Sequence, residues 1–129
     1  MCLVHDFGEA ITGDIPAFLK TEDNEIAENV AVNYLLSTLP PSEQEELTLL
    51  FKEMNALSTP EAKLYKALDN AEALISHNEA SISTWLPREF DENLTYGTKN
   101  CEFSEWTKAL REELKNDSIK KIEEEKYEG

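Results

Sequence analysis

Apolar positions recur every three or four residues along nearly the whole chain, the repeat of an α-helix lying on a core. Residues 1–12 read as a first helix, with Leu3, Phe7, Ala10 and Ile11 on one side and Gly13 closing it. Pro16 biases Ile15 away from helical angles, so Gly13-Asp14-Ile15-Pro16 reads as a turn. A second helix is expected over residues 22–39, with Ile26, Val30 and Leu35/Leu36 facing inward and Pro40-Pro41 stopping it. Ser42, with Glu45 three residues on, has the spacing of a capping box and opens a third helix carrying Leu47, Leu50, Phe51 and Met54. Thr59-Pro60 is an N-cap followed by proline at the first helical position. It starts a fourth helix over residues 60–77, with a stripe of Leu64, Tyr65, Leu68, Ala71 and Ile75. A short helix holding Ile82, Trp85 and Leu86 ends at Pro87, and residues 88–101 read as an irregular connection. A last helix begins near Phe103 and carries Trp106, Leu110, Leu114, Ile119 and Ile122. Residues 123–129 are expected to be a frayed or disordered acidic tail. The pattern holds no strand and no repeat, so the expected class is all-α, in a single domain.

Composition agrees with that class and adds a constraint on partners. The 129 residues are 40% apolar, enough for a core in a domain of ordinary size. Acidic residues number 27 against 12 basic ones, a net charge of −15. Such a field repels nucleic-acid backbones and anionic membrane surfaces. A small anionic substrate requires a local reversal of that field, for instance by a bound cation. No apolar run approaches the roughly 20 residues that span a bilayer, and the N-terminus lacks the basic stretch of a signal peptide. Cys2 and Cys101 are too few for a disulfide framework, so both are expected as thiols in the cytoplasm.

The first predicted helix carries the chemistry. At about 100° per residue, Glu9 lies about 40° and Asp6 about 100° from His5, and the apolar residues fall opposite. An imidazole and a carboxylate side by side can ligate one divalent ion. A His-Asp pair alone is most often a pair of surface residues, so these three residues leave both readings open. Asp69 sits at the margin of the fourth helix's apolar stripe, and Glu72 almost within it. A half-buried carboxylate needs a cation, an arginine or a hydroxyl as partner, whereas one at the helix edge needs only water. His77, at the end of that helix, reads as structural or surface rather than as a ligand. Arg88 and Lys99 lie in the irregular connection and stay outside the candidate site.

The run from His5 to Pro16, His-Asp-Phe-Gly-Glu-Ala-Ile-Thr-Gly-Asp-Ile-Pro, resembles the signature of the HD-domain metal-dependent phosphohydrolases, in particular the branch of deoxyribonucleoside 5'-monophosphatases. A second stretch, Ser58–Lys63 followed by Ala67–Leu74, resembles the family segment with the last metal-binding aspartate. The resemblance continues from His77 toward the C-terminal helix. It implies His5, Asp6 and Asp69 as metal ligands and Glu9 as the catalytic acid. Asp14 becomes the carboxylate that orients the sugar or the attacking water. The implied cofactor is a divalent metal ion (cobalt, manganese, zinc or iron), the substrate a 5'-nucleoside monophosphate, and the fold an HD-domain-like helical bundle. Members of the family commonly pair as homodimers, although no interface is legible here. They also carry a further ligating histidine upstream, with a phosphate-holding arginine near it, and this chain begins four residues before His5. The expectation is therefore a shortened HD domain lacking the first helices, in which Leu3, Val4, Phe7 and Ile11 lose apolar cover and turnover is weak. The competing expectation is a non-catalytic helical module that keeps the HD core and binds a partner through the uncovered surface.

Overall fold

The computed structural model describes residues 1–126. Among them every regular element is helical, so the protein is all-α. The elements fall into two compact units, Met1–Ala56 and a second that starts at Leu57.

The first unit opens with turns rather than a full helix. Val4, Phe7 and Glu9 donate their N–H groups to the carbonyls three residues back, and only the helix α1 (Glu9–Thr12) follows. Two local features explain this. Gly8 is a poor helix former. The His5 ring bonds to the Cys2 carbonyl (2.6 Å), a side-chain competitor for the backbone ladder. Without a continuous helix the expected apolar side does not persist: Leu3, Ala10 and Ile11 are exposed, and Phe7 meets Phe51 with ring centroids 6.3 Å apart. Gly13 (φ 77°) ends α1, and a 3-10 turn, Ala17–Leu19, leads to α2 (Glu22–Ser37). Thr21 caps α2 reciprocally with Asn24. α3 follows at Pro41–Ala56.

Two expectations are corrected here. The buried face of α2 is Ala31, Val32 and Leu36, while Ile26 (56%), Val30 (63%) and Tyr34 (63%) are exposed. Apolar side chains surround much of this helix, and the side taken is the one where Gly8 comes close to Glu28 and Val32. α3 begins two residues earlier than expected, with Pro41 at its first position. The Pro40 carbonyl accepts the first helical bond from Gln44, and Ser42 turns to Glu43 instead of capping. Phe51 and Met54 are buried as expected.

The second unit is built on α4 (Pro60–Glu79) and α7 (Glu105–Lys126), which pack along each other. Thr59 caps α4 through the Ala62 N–H, as anticipated. Its buried face is Ala62, Ala67, Asn70, Ala71 and Leu74, and Leu64 and Ile75 are exposed. Ala71 and Leu74 meet Leu114 of α7, flanked by Tyr96 and Leu110. Glu72 points outward and accepts from Ser76. Trp85 follows a 3-10 turn, Ile82–Thr84, not a helix, and donates to the His77 carbonyl (2.9 Å). The expected irregular connection contains two single-turn helices, α5 (Glu89–Glu92) and α6 (Thr98–Cys101). The buried face of α7 is partly polar: Thr107, Arg111 and Ser118 lie inside, whereas Trp106 is exposed. Arg111 donates to the carbonyls of Tyr96 and Asn93, which ties the connection to α7. Of the expected acidic tail, residues 123–126 belong to α7, and the last three lie outside the described residues.

Candidate functional site

Four of the five sequence-predicted site residues lie in the first unit. The tight turns before Gly8 set His5 beside Asp6. The His5 Nδ1 meets the Cys2 carbonyl, and a carbonyl can only accept, so Nδ1 carries the proton. In the neutral ring Nε2 is then the lone-pair nitrogen, and it faces Asp6 Oδ1 at 3.2 Å. The imidazole is mostly covered and the carboxylate more open, with side chains 24% and 58% exposed.

Glu9 opens α1 with its carboxyl partly covered. Burial pushes its pKa up, and the charges of Asp6, Asp14 and Glu28 add to that rise, while Lys20 opposes it. Asp14 is exposed in the turn after Gly13, within electrostatic reach of Glu9. Lys20 donates to Glu28 Oε2 at 2.8 Å. Burial acts to lower the Lys20 ammonium, but the bond and charge of Glu28, with Glu9 and Asp6, outweigh it and hold the pKa above the usual lysine value. Glu28 lies against the site turn. A Cβ on Gly8 would stand 2.7 Å from Glu28 Cγ and 2.8 Å from its carbonyl oxygen. Only glycine permits that approach.

Lys20 and Glu28 are the participants that the sequence reading missed. The available signal was charge: Lys20 is the one lysine or arginine among the first 51 residues, amid ten carboxylates. The contact depends on residues 13–20 folding back onto α2, which no local pattern reports.

The fifth residue, Asp69, lies in the second unit on α4, half-buried and paired with Lys66 one turn earlier (3.2 Å). His77 also lies there, bonded to Asn93 Oδ1 (2.9 Å) and tilted against Trp85, which suits a structural histidine. Arg88 pairs with Glu92.

The His5–Asp6 pair can be tested against a divalent ion on geometry alone. Ligand atoms about 2.1 Å from an ion, at angles of 90–110°, stand roughly 3.0–3.4 Å apart. The observed 3.2 Å falls within that span, and the Nδ1–H bond to a carbonyl is the outer support that ligating histidines normally have. The pair would fit one ion as two of its ligands. Among the described residues no group of three or more His, Cys, Asp or Glu side chains is gathered for a metal.

Comparison with known proteins places the chain in a family. The family model of the HD domain matches residues 1–111. The chain belongs to the HD-domain family, whose members are generally metal-dependent. It is 38% identical over 81 residues to the 5'-deoxynucleotidase HDDC2 of Bos taurus, covering 61% of this chain and 40% of that protein. The corresponding proteins of Danio rerio and Homo sapiens are 37% and 36% identical over 81 residues, with the same coverage. The aligned region thus spans about two fifths of the length of these relatives. No solved structure gives a significant match. No helix among the described residues is long and apolar enough to cross a membrane.

Proposed function

We propose that the chain is a metal-dependent phosphohydrolase of the HD type, acting on phosphomonoesters and specifically on 5'-(deoxy)nucleoside monophosphates. The observation that carries this reading is the His5–Asp6 pair, oriented from behind by the Cys2 carbonyl and spaced for one ion, with Glu9, whose pKa burial raises, one turn on. His5 and Asp6 would hold a cobalt, manganese, zinc or iron ion, and the family resemblance makes Asp69 the further ligand. When bound, such an ion lowers the pKa of water and offsets phosphate charge. Glu9 would give its proton to the ester oxygen as the P–O bond breaks, so the sugar leaves as an alcohol; the water oxygen joins phosphorus, and the proton that water sheds restores Glu9. The raised Glu9 pKa suits that task, because an acid must still hold its proton near the working pH. Asp14 orients the sugar or the incoming water from the edge of the turn. A cytoplasmic location and pairing as a homodimer complete the reading.

Divalent-ion titration with a phosphate-release screen over nucleoside monophosphates tests it. The full chain should bind the ion and release phosphate. Glu9→Gln should lower kcat by about 10²–10⁴-fold while leaving the ion bound. His5→Ala and Asp69→Ala should each lose ion binding. A chain that neither binds a divalent ion nor releases phosphate would overturn the proposal. One observation favours a second reading, a non-catalytic interaction module: the exposed Ile26, Val30 and Tyr34 form an apolar stripe along α2. That module would lack phosphate release yet stay folded.

A further inference from the structure

We propose that Lys20 is the side chain that recognises the phosphate group at this site. The inference rests on the hydrolase reading above and names a residue for its anion. A phosphomonoester carries about −1.5 to −2 charges at neutral pH, and this chain carries −15. A fixed cation at the site would add to whatever charge an ion offsets. In residues 1–51 the only lysine or arginine is Lys20, and it is not dispersed on the surface. It reaches Glu28 Oε2 at 2.8 Å, has three quarters of its side chain covered, and feels the charges of Glu9 and Asp6. Glu28, which holds this ammonium, lies against Gly8 of the turn that carries His5, Asp6 and Glu9.

The placement is built rather than incidental. Gly13 turns the chain after α1, Pro16 and the 3-10 turn Ala17–Leu19 direct it back, and Lys20 leaves that turn in extended backbone. Its anchor, Glu28, is fixed by the close approach of Gly8 from the site turn. An ammonium has three N–H donors, and Glu28 is its one hydrogen-bond partner among the described residues. Donors remain for phosphate oxygens. The unit's other lysine, Lys52, lacks this arrangement and is exposed on α3.

The alternative is that Lys20 only ties the loop to α2, and the test separates the two. Inorganic phosphate is titrated calorimetrically into the full chain, with and without saturating Mn²⁺, and the same variants are assayed for KM and kcat. Lys20→Met should weaken phosphate binding and raise KM by about 10–100-fold, the usual worth of a charge-assisted bond. Lys20→Arg should recover most of it. Lys52→Met, with the same change in net charge, should bind as the wild type does. Glu28→Gln keeps the shape under Gly8 and removes a competing charge, so phosphate should bind as well or better. A loss in Glu28→Gln equal to that in Lys20→Met would show a mere tether and overturn the proposal. So would unchanged binding in Lys20→Met, or no phosphate binding by the wild type. Phosphate binding without ester hydrolysis would leave Lys20 in its role and remove the hydrolase. Hydrolysis with an unaltered KM in Lys20→Met would do the reverse.

Discussion

Glu9 shows how single residues answer to their neighbours. Its proton is held more tightly in the folded chain than in the unfolded one, first through burial and then through three nearby carboxylates. Folding then gains from this group below its ordinary pKa of about 4.5, and the gain is lost as pH rises through the elevated folded value. Glu9→Gln has no charge to lose. Its melting temperature should match the wild type at pH 4 and exceed it by about 1–3 °C at pH 7, the scale of a partly exposed charge. Calorimetry at the two pH values checks this, and equal melting points at pH 7 would refute it. The thiols divide in the same way. Cys2 is exposed, whereas burial pushes the Cys101 thiol up against the opposing Arg111 guanidinium. A disulfide reagent should titrate one thiol quickly in the native protein and the second only on unfolding. At this scale the sequence was partly readable. His5, Asp6 and Glu9 stand in one recognisable string, but Lys20 and Glu28 are eight residues apart and meet only through the fold-back of a loop.

At the scale of elements, close packing replaces propensity as the deciding force. The site turn lies on α2 because residue 8 has no side chain. Gly8→Ala would drive a methyl into the Glu28 backbone, which cannot move without shifting the helix. The expected cost is about 1–3 kcal/mol, as for overpacking elsewhere, and the Lys20–Glu28 bond should weaken with it. Urea unfolding gives the first number, and phosphate affinity reads the second. Gly97 has a comparable contact in the second unit, where an added Cβ would lie 2.8 Å from Asn70 Cβ at a φ of 76°. Local start signals were legible at α4 and not at α3, where Ser42 bonds to Glu43 instead of capping. Thr59-Pro60 announces α4 because the cap and the proline act within one turn. Burial was less legible. Ile26, Val30 and Tyr34 repeat at the same four-residue spacing as a core stripe, and periodicity cannot say which side of α2 is covered. The first helix failed for another reason: Gly8 and the His5 bond to the Cys2 carbonyl break its ladder, and these are details finer than a hydropathy repeat.

Charge acts on the molecule as a whole. With 27 acidic residues against 12 basic ones, the folded chain repels itself over distances longer than any one ion pair. The screening length falls from about 30 Å at 0.01 M salt to about 8 Å at 0.15 M. Sodium chloride should therefore raise the melting temperature over that interval and then level off. On the proposed reading a divalent ion stabilises by two routes, screening and site occupancy, and only the second would depend on His5. Binding that favours the folded state adds about 2.7 kcal/mol when free ligand stands at one hundred times its dissociation constant. At 0.15 M salt, where screening is nearly saturated, micromolar Mn²⁺ should still raise the melting temperature of the wild type. It should do nothing for His5→Ala, which keeps all 27 carboxylates. If the two chains gain equally, the ion is held by diffuse acidity and His5 has no part in binding it. If only the wild type gains, the His5–Asp6 spacing of 3.2 Å is the property that selects the ion, and the surrounding charge supplies the field that draws it in.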